Sequence, residues 1–276
     1  MDRQINRVFE YFSYFGYPPT LEEIHSFISK NISKSNLEKT LFLKVKKRSV
    51  LKIEIENIPR FQLLRFRDKI RGFEKRYYHS RKLIKSSFQY LKILGIIPDL
   101  RYLGISGSLS MKNASKDSDI DIFVITKAEK IWSVRYALLL YKSALRLFVP
   151  EIGLKLCFNL FFAENGLLVG KQKRTEYIGH ELFQLMSIVN KDSTYEKLLV
   201  ANFWTMKIFP NVQLNYSKKQ ETIKSMQQAK RKSFVESFLS VIQKRWLNIR
   251  NYSFQEKSGQ LWLIQRDFEE RIKKLD

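Results

Sequence analysis

Over the first 60 residues, apolar positions recur every three or four places. Ile5, Val8, Phe9 and Phe12 share one face of a predicted helix. Gly16 and Pro18-Pro19 end that helix. Thr20-Leu-Glu-Glu23 then reads as a capping box opening a second helix that buries Ile24, Phe27 and Ile28. Ser33 or Ser35 opens a third, carrying Leu37, Leu41 and Val45. From Val50 to Glu56 the period changes to two. Leu51, Ile53 and Ile55 alternate with Lys52, Glu54 and Glu56, the pattern of a half-buried strand. Three short helices followed by a β-segment resemble a winged helix-turn-helix, so residues 1–60 are read as a winged-helix-like module.

Residues 61–80 form a basic connector in which Phe61, Phe66, Phe73, Tyr77 and Tyr78 are interleaved with cations. Two readings fit it: aromatics stacking on bases among phosphate-neutralising cations, or a long helix that buries its aromatics and solvates its charges. Residues 81–210 alternate helical and strand patterns. A helix over Leu83–Leu94 ends at Gly95, a strand runs over Leu100–Ser106, and a second spans Asp119–Thr126. A helix follows from Trp132 to Phe148, and a third strand covers Leu154–Phe162. On that strand, alternation puts Lys155, Cys157, Asn159 and Phe161 on one face and Leu156, Phe158, Leu160 and Phe162 on the other. Lys173 to Leu185 is again helical and contains His180-Glu181, read either as a pair near a bound nucleotide or as a structural histidine. Residues 211–276 are a basic helical region. There Phe234, Phe238, Ile242 and Trp246 repeat every four residues as one apolar stripe, with Lys232, Lys244, Arg245 and Arg250 around it. Core packing is the first reading of the stripe, and a membrane-surface or RNA-contacting helix the alternative. Lys218-Lys219, Ser225-Met-Gln-Gln and Asn251-Tyr-Ser read as connectors.

Charge narrows the partners. Fifty Lys and Arg against 27 Asp and Glu give a formal net charge of +23, a field that attracts nucleic acid, nucleotides or anionic lipid and repels cationic substrates such as aminoglycosides. A single cysteine, Cys157, excludes an internal disulfide framework and cannot by itself form a thiolate metal site. There is no apolar run of membrane-spanning length and no signal-peptide pattern at the N-terminus, so the expectation is a cytoplasmic protein without a transmembrane segment.

The chemistry concentrates between Ile105 and Ile125, ISGSLSMKNASKDSDIDIFVI. Asp119 and Asp121 lie two apart at the start of a strand, which places two carboxylates on one face while Ile120, Ile122 and Val124 point into a core. Adjacent like charges favour a cation between them, and oxygen-only ligands suit Mg²⁺ or Mn²⁺. Gly107-Ser108 turns into a short segment whose amides can hold a phosphate, with Lys112, Lys116 and Arg135 as candidate cations. Gly107-Ser108, ten residues, then Asp119-Ile-Asp121-Ile122 resembles the signature of the polymerase-β-like nucleotidyltransferase superfamily. The chain as a whole resembles little-characterised prokaryotic proteins that carry such a domain behind a helical module.

That resemblance implies an α+β fold: a nucleotidyltransferase-type mixed sheet with packed helices, joined to the N-terminal module and the helical C-terminal region. It also implies Asp119 and Asp121 as metal ligands, Gly107, Ser108 and Lys116 as nucleotide-binding residues, and Mg²⁺ or Mn²⁺ with an NTP as substrate. The family places a third carboxylate on the third strand, where this chain has Asn159. Asn159 can ligate or position but cannot act as a base; Glu164 at the strand's end and Glu151 before it are the alternatives. Two functions follow: transfer of a nucleoside monophosphate to an acceptor hydroxyl, or a non-catalytic, nucleotide-sensing DNA- or RNA-binding regulator.

Overall fold

Thr20 and Glu23 exchange the bonds of the capping box, Glu23 N–H to Thr20 Oγ1 at 3.2 Å and Thr20 N–H to Glu23 Oε2 at 2.7 Å. They start α2 (Leu21–Phe27), which follows α1 (Asp2–Tyr14) and precedes α3 (Lys34–Lys46). A computed structural model of the protein describes residues 2–212 and 233–263. Ile5, Phe9 and Phe12 of α1, Ile24 of α2 and Leu37 of α3 are fully buried, so the predicted faces form this core. Strands β1 (Val50–Ile55) and β2 (Ile58–Leu63) pair antiparallel. The link between them is Glu56-Asn57, both with positive φ (52° and 61°), the handedness that suits a tight hairpin.

The basic connector is not a separate segment. A 3₁₀ stretch (Leu64–Ile70) leads into α4 (Phe73–Lys92), and its aromatics face inward. The guanidinium of Arg60, itself buried, lies over the rings of Tyr17, Phe73 and Tyr77 at 5.2, 5.1 and 5.4 Å and donates to Pro18 O at 3.0 Å. Three aromatic faces thus replace the water this cation gave up. Of the two readings of the connector, buried aromatics with solvated charges holds for Phe61, Phe73 and Tyr77, while Tyr78 stays exposed. Residues 203–212 complete this unit: Asn211 Nδ2 donates to Ile28 O and Lys30 O at 3.2 and 2.8 Å, and Phe209 meets Phe27 edge-on.

The second unit comprises residues 81–202 and 233–263 of the described chain. In order it contains β3 (Leu100–Ile105), a helical turn α5 (Gly107–Ser110), β4 (Ile120–Thr126), α6 (Ile131–Phe148), a turn α7 (Pro150–Gly153) and β5 (Leu156–Ala163). There follow α8 (Glu176–Phe183), β6 (Met186–Asn190) and α9 (Thr194–Ala201). After α10 (Thr205–Ile208), which belongs to the first unit, come α11 (Phe234–Ile249), β7 (Phe254–Lys257) and β8 (Gln260–Leu263). The six strands form one mixed sheet, ordered β6-β3-β4-β5-β8-β7. Only β4 and β5 are parallel, joined by the α6 crossover; every other pair is antiparallel. Ile105, Ile120, Ile122, Val124, Leu156 and Phe161 bury one face of the sheet against Leu91, Trp132 and Leu138.

The C-terminal region departs from expectation in two ways. It supplies a strand pair, with β8 extending the sheet beside β5, and α11 docks by its polar face. Glu236, Ser240, Gln243 and Leu247 are buried, whereas Phe234, Phe238, Ile242 and Trp246 point outward. The reason is hydrogen bonding. Glu236 accepts from the backbone N–H of Trp132 (2.7 Å) and of Ser133 (3.0 Å) and from the Ser133 hydroxyl, capping α6, while Gln243 accepts from Arg135 and donates to Trp132 O at 2.8 Å. Those donors need partners more than the apolar stripe needs cover. The connectors read at Lys218-Lys219 and Ser225–Gln228, and Lys232, lie outside the described residues. Among the described residues no helix is long and apolar enough to cross a membrane.

Candidate active site

The site is built where β3 ends and β4 begins. Ser106 N–H donates to Asp121 O at 2.9 Å, the last bond of that strand pair. The chain then turns at Gly107, whose φ is +64°. A Cβ there would lie 3.1 Å from Asp121 Oδ2, so glycine is required both by backbone conformation and by the approach of the carboxylate. The turn is closed by Ser110 Oγ donating to Gly107 O (2.8 Å) and Asn113 N–H donating to Ser108 O (2.8 Å). Replacing Gly107 with alanine should lower stability by about 1–2 kcal/mol from the left-handed backbone alone. Asparagine, which tolerates that conformation, should recover only part of the loss, because its Cβ still displaces Asp121. Urea titration at pH 7.5 measures both, and wild-type stability in the alanine variant would contradict the requirement for glycine.

Asp121 is half-buried and pairs across the sheet with Cys157. Burial, then the charge of Asp119, pushes its carboxyl up to about 6; a bond from Asn159 Nδ2 to Oδ1 (2.9 Å) acts the other way. Asp119 itself is exposed, one residue ahead of β4. The ladder is irregular at Asn159. The register runs Ile122↔Phe158 and then Phe123↔Leu160, leaving Asn159 as an extra residue bulged out of the ladder. Beyond the bulge the faces exchange, so Phe161 joins Phe158 in the core and Phe162 packs against Phe123, the reverse of simple alternation.

Of the His180-Glu181 pair, Glu181 is the residue that comes to the site. Helix α8, capped by Thr175 accepting from Ile178 N–H at 3.3 Å, carries Glu181 to Gly107. The Gly107 amide and the Tyr177 side chain both act to favour its ionised form. Burial, then the negative charge of Asp121, raises its carboxyl to about 7 despite those two groups. The neighbouring His180 is instead buried in the interior and kept neutral by desolvation. The pair therefore divides, with glutamate at the site and histidine in the core.

Other candidates lie elsewhere. Glu164 sits past the far end of β5, where Ala163 pairs with Thr126, and forms an ion pair with Arg101 at 3.6 Å. With Cys157 opposite Asp121, some six residues of strand, about 20 Å, separate Glu164 from the aspartates, and this corrects its assignment to the site. Glu151 is exposed on α7. Lys116 is exposed on the loop before β4; its carbonyl, rather than its ammonium, is the group engaged, by Lys155 Nζ. Arg135 is turned inward to Gln243. Burial, then the charges of Asp121 and Asp119, lifts the Cys157 thiol to about 11, which removes it as a nucleophile.

Among the described residues, no group of three or more His, Cys, Asp or Glu side chains is gathered tightly enough to hold a metal ion unaided. The donor chemistry nevertheless fits Mg²⁺, which commonly takes one or two carboxylates and completes its shell with substrate phosphates and water. Burial and mutual repulsion disfavour the ionised forms of two carboxyls beside one glycine turn, and a divalent ion there would favour them. Compared with protein-family models, with curated proteins and with solved structures, the chain finds no match.

Proposed function

We propose that the protein is a nucleotidyltransferase: it transfers a nucleoside monophosphate from an NTP to an acceptor hydroxyl and releases pyrophosphate. The observation that carries this reading is the meeting of Gly107, Asp121 and Glu181 at the end of β3. Asp119 and Asp121 would hold Mg²⁺ or Mn²⁺, and the metal, when bound, offsets charge developing on the phosphoryl oxygens. Asn159 fixes Asp121 through Oδ1 and leaves Oδ2 beside the Gly107 turn. The acceptor oxygen attacks the α-phosphorus, the bond to pyrophosphate breaks, and the hydroxyl proton passes to Glu181. A carboxyl that titrates near neutrality suits that task. Glu181 thereby takes the part that Asn159 cannot.

A second reading, a nucleotide-sensing regulator, is favoured by Asn159 on the third strand and by the winged-helix-like order of three helices and a hairpin, in which α3 exposes Lys39 and Lys46 and Lys47 follows it. One experiment separates the two. The protein is incubated with each α-labelled NTP, Mg²⁺ and a cell lysate, beside Asp119→Ala/Asp121→Ala and Glu181→Gln. Label on an acceptor that requires all three carboxylates is the expected result. NTP binding without transfer would replace the enzyme by the regulator.

A further inference from the structure

The outward face of α11 has no part in nucleotidyl transfer. Phe234, Phe238, Val241, Ile242, Trp246 and Ile249 fall within one arc of the helix, and all are exposed, Phe234 to 85% and Ile249 to 71%. So broad an apolar arc on solvent marks an interaction site. It is not a core face that failed to dock. The opposite side is bonded through Glu236 and Gln243 to the backbone of α6, and rolling the helix inward would strand the N–H groups of Trp132 and Ser133. The orientation is therefore specified.

Charge selects the occupant. Arg245 stands within the arc, Arg250 closes the helix, and Lys230-Arg231-Lys232 precede it in the sequence. The single acid of α11, Glu236, is buried and bonded. A second copy would bring another +23 charge against the first, and Arg245 towards its twin. Nucleic acid matches the cations but offers little to aliphatic Val241, Ile242 and Ile249. An anionic lipid leaflet matches both components. At one end, Trp246 stacks on Tyr252 at 5.9 Å, with the Arg250 guanidinium 5.6 Å from the Trp246 ring centroid, an amphipathic group suited to headgroup depth. We infer that α11 lies flat on an anionic membrane surface, its apolar arc in the acyl–headgroup boundary, and holds the protein there peripherally.

Vesicle flotation of the full chain tests this inference independently of any transferase activity. Protein should float with vesicles of equal parts phosphatidylglycerol and phosphatidylcholine and remain behind with phosphatidylcholine alone. Phe238→Ser/Ile242→Ser should reduce the floated fraction at least about tenfold, because two apolar side chains no longer enter the bilayer. Arg245→Glu should weaken flotation as well. Both serine positions are exposed, so an unchanged circular dichroism spectrum and urea midpoint establish that the variant is folded. Absence of flotation, or flotation indifferent to the double variant, overturns the proposal. So does lipid-free self-association that the double variant abolishes, which would make a second copy the occupant.

Discussion

Asp121→Asn is expected to stabilise the fold by about 2 kcal/mol at pH 8 while abolishing the transfer proposed above, a loss of about a thousandfold or more. The stability gain follows from the carboxyl's position near 6, against 3.8 for an ordinary aspartate, with burial as the first cause and Asp119 as the second. A tenfold change in proton affinity on folding is worth about 1.4 kcal/mol, and partial exposure reduces the total. Asparagine keeps an oxygen to accept from Asn159 and removes the desolvated charge. The sign is fixed by linkage. A carboxyl raised on folding binds its proton more tightly in the native state, so its stabilisation is full below about pH 4 and is lost as pH rises through the folded value. That value is about 6 for Asp121 and about 7 for Glu181. The advantage of the asparagine variant should therefore be present at pH 8 and absent at pH 4. Urea unfolding of both proteins at the two pH values measures it. A variant less stable than wild type at pH 8 would show that Asp121 is a structural ligand rather than a strained functional one.

Glu236→Ala should cost about 3 kcal/mol, the largest loss expected from a single polar side chain in the second unit. One buried carboxylate serves two backbone amides and a hydroxyl at the start of α6, and bonds to a charged acceptor are worth about 1.5–3 kcal/mol each in isolation. The total is less than their sum because water reaches part of the vacated space. Glu236→Gln should lose about 2 kcal/mol: its carbonyl can satisfy one amide, but its NH₂ then faces a second donor. The check is the urea midpoint at constant slope. A loss below about 1 kcal/mol in the alanine variant would mean that α11 is held by Leu247 and its apolar neighbours instead.

Where a single element carries its own signal, the chain is readable. Thr20 and Glu23 announce a helix start that the structure makes atom for atom, and Ile120, Ile122 and Val124 alternate into the core as their spacing requires. Gly107, Asp119 and Asp121 were legible because a turn and a strand start are local events. Glu181 was not, since it reaches Gly107 from a helix some 70 residues on, and only the Glu beside a helical His marked it. The Asn159 bulge was hidden because an inserted ladder residue leaves period-two apolar character intact in a strand as hydrophobic as LCFNLFFA. Helix α11 misled for a different reason. Amphipathic spacing identifies an apolar face but not its direction, and the inward side was set by unsatisfied donors on α6. Arg60 belongs to the same class, a cation that its neighbours in space, rather than in sequence, turned into a core residue.

The order of the sheet also has a consequence for biosynthesis. Strand β5 stands beside β4 as soon as α6 has crossed, but its other edge waits for β8, with Leu160 opposite Trp262 about 100 residues later. At roughly 5–20 residues per second, a nascent chain would spend about 5–20 s with that edge open. During that interval Leu160, Phe161 and Phe162 form an unpaired, hydrophobic template for pairing with other chains. Messages cut short before the codon for Leu261 would leave the edge open permanently, so prematurely terminated products of this gene should be clients of chaperones and proteases, while chains that include β8 are not.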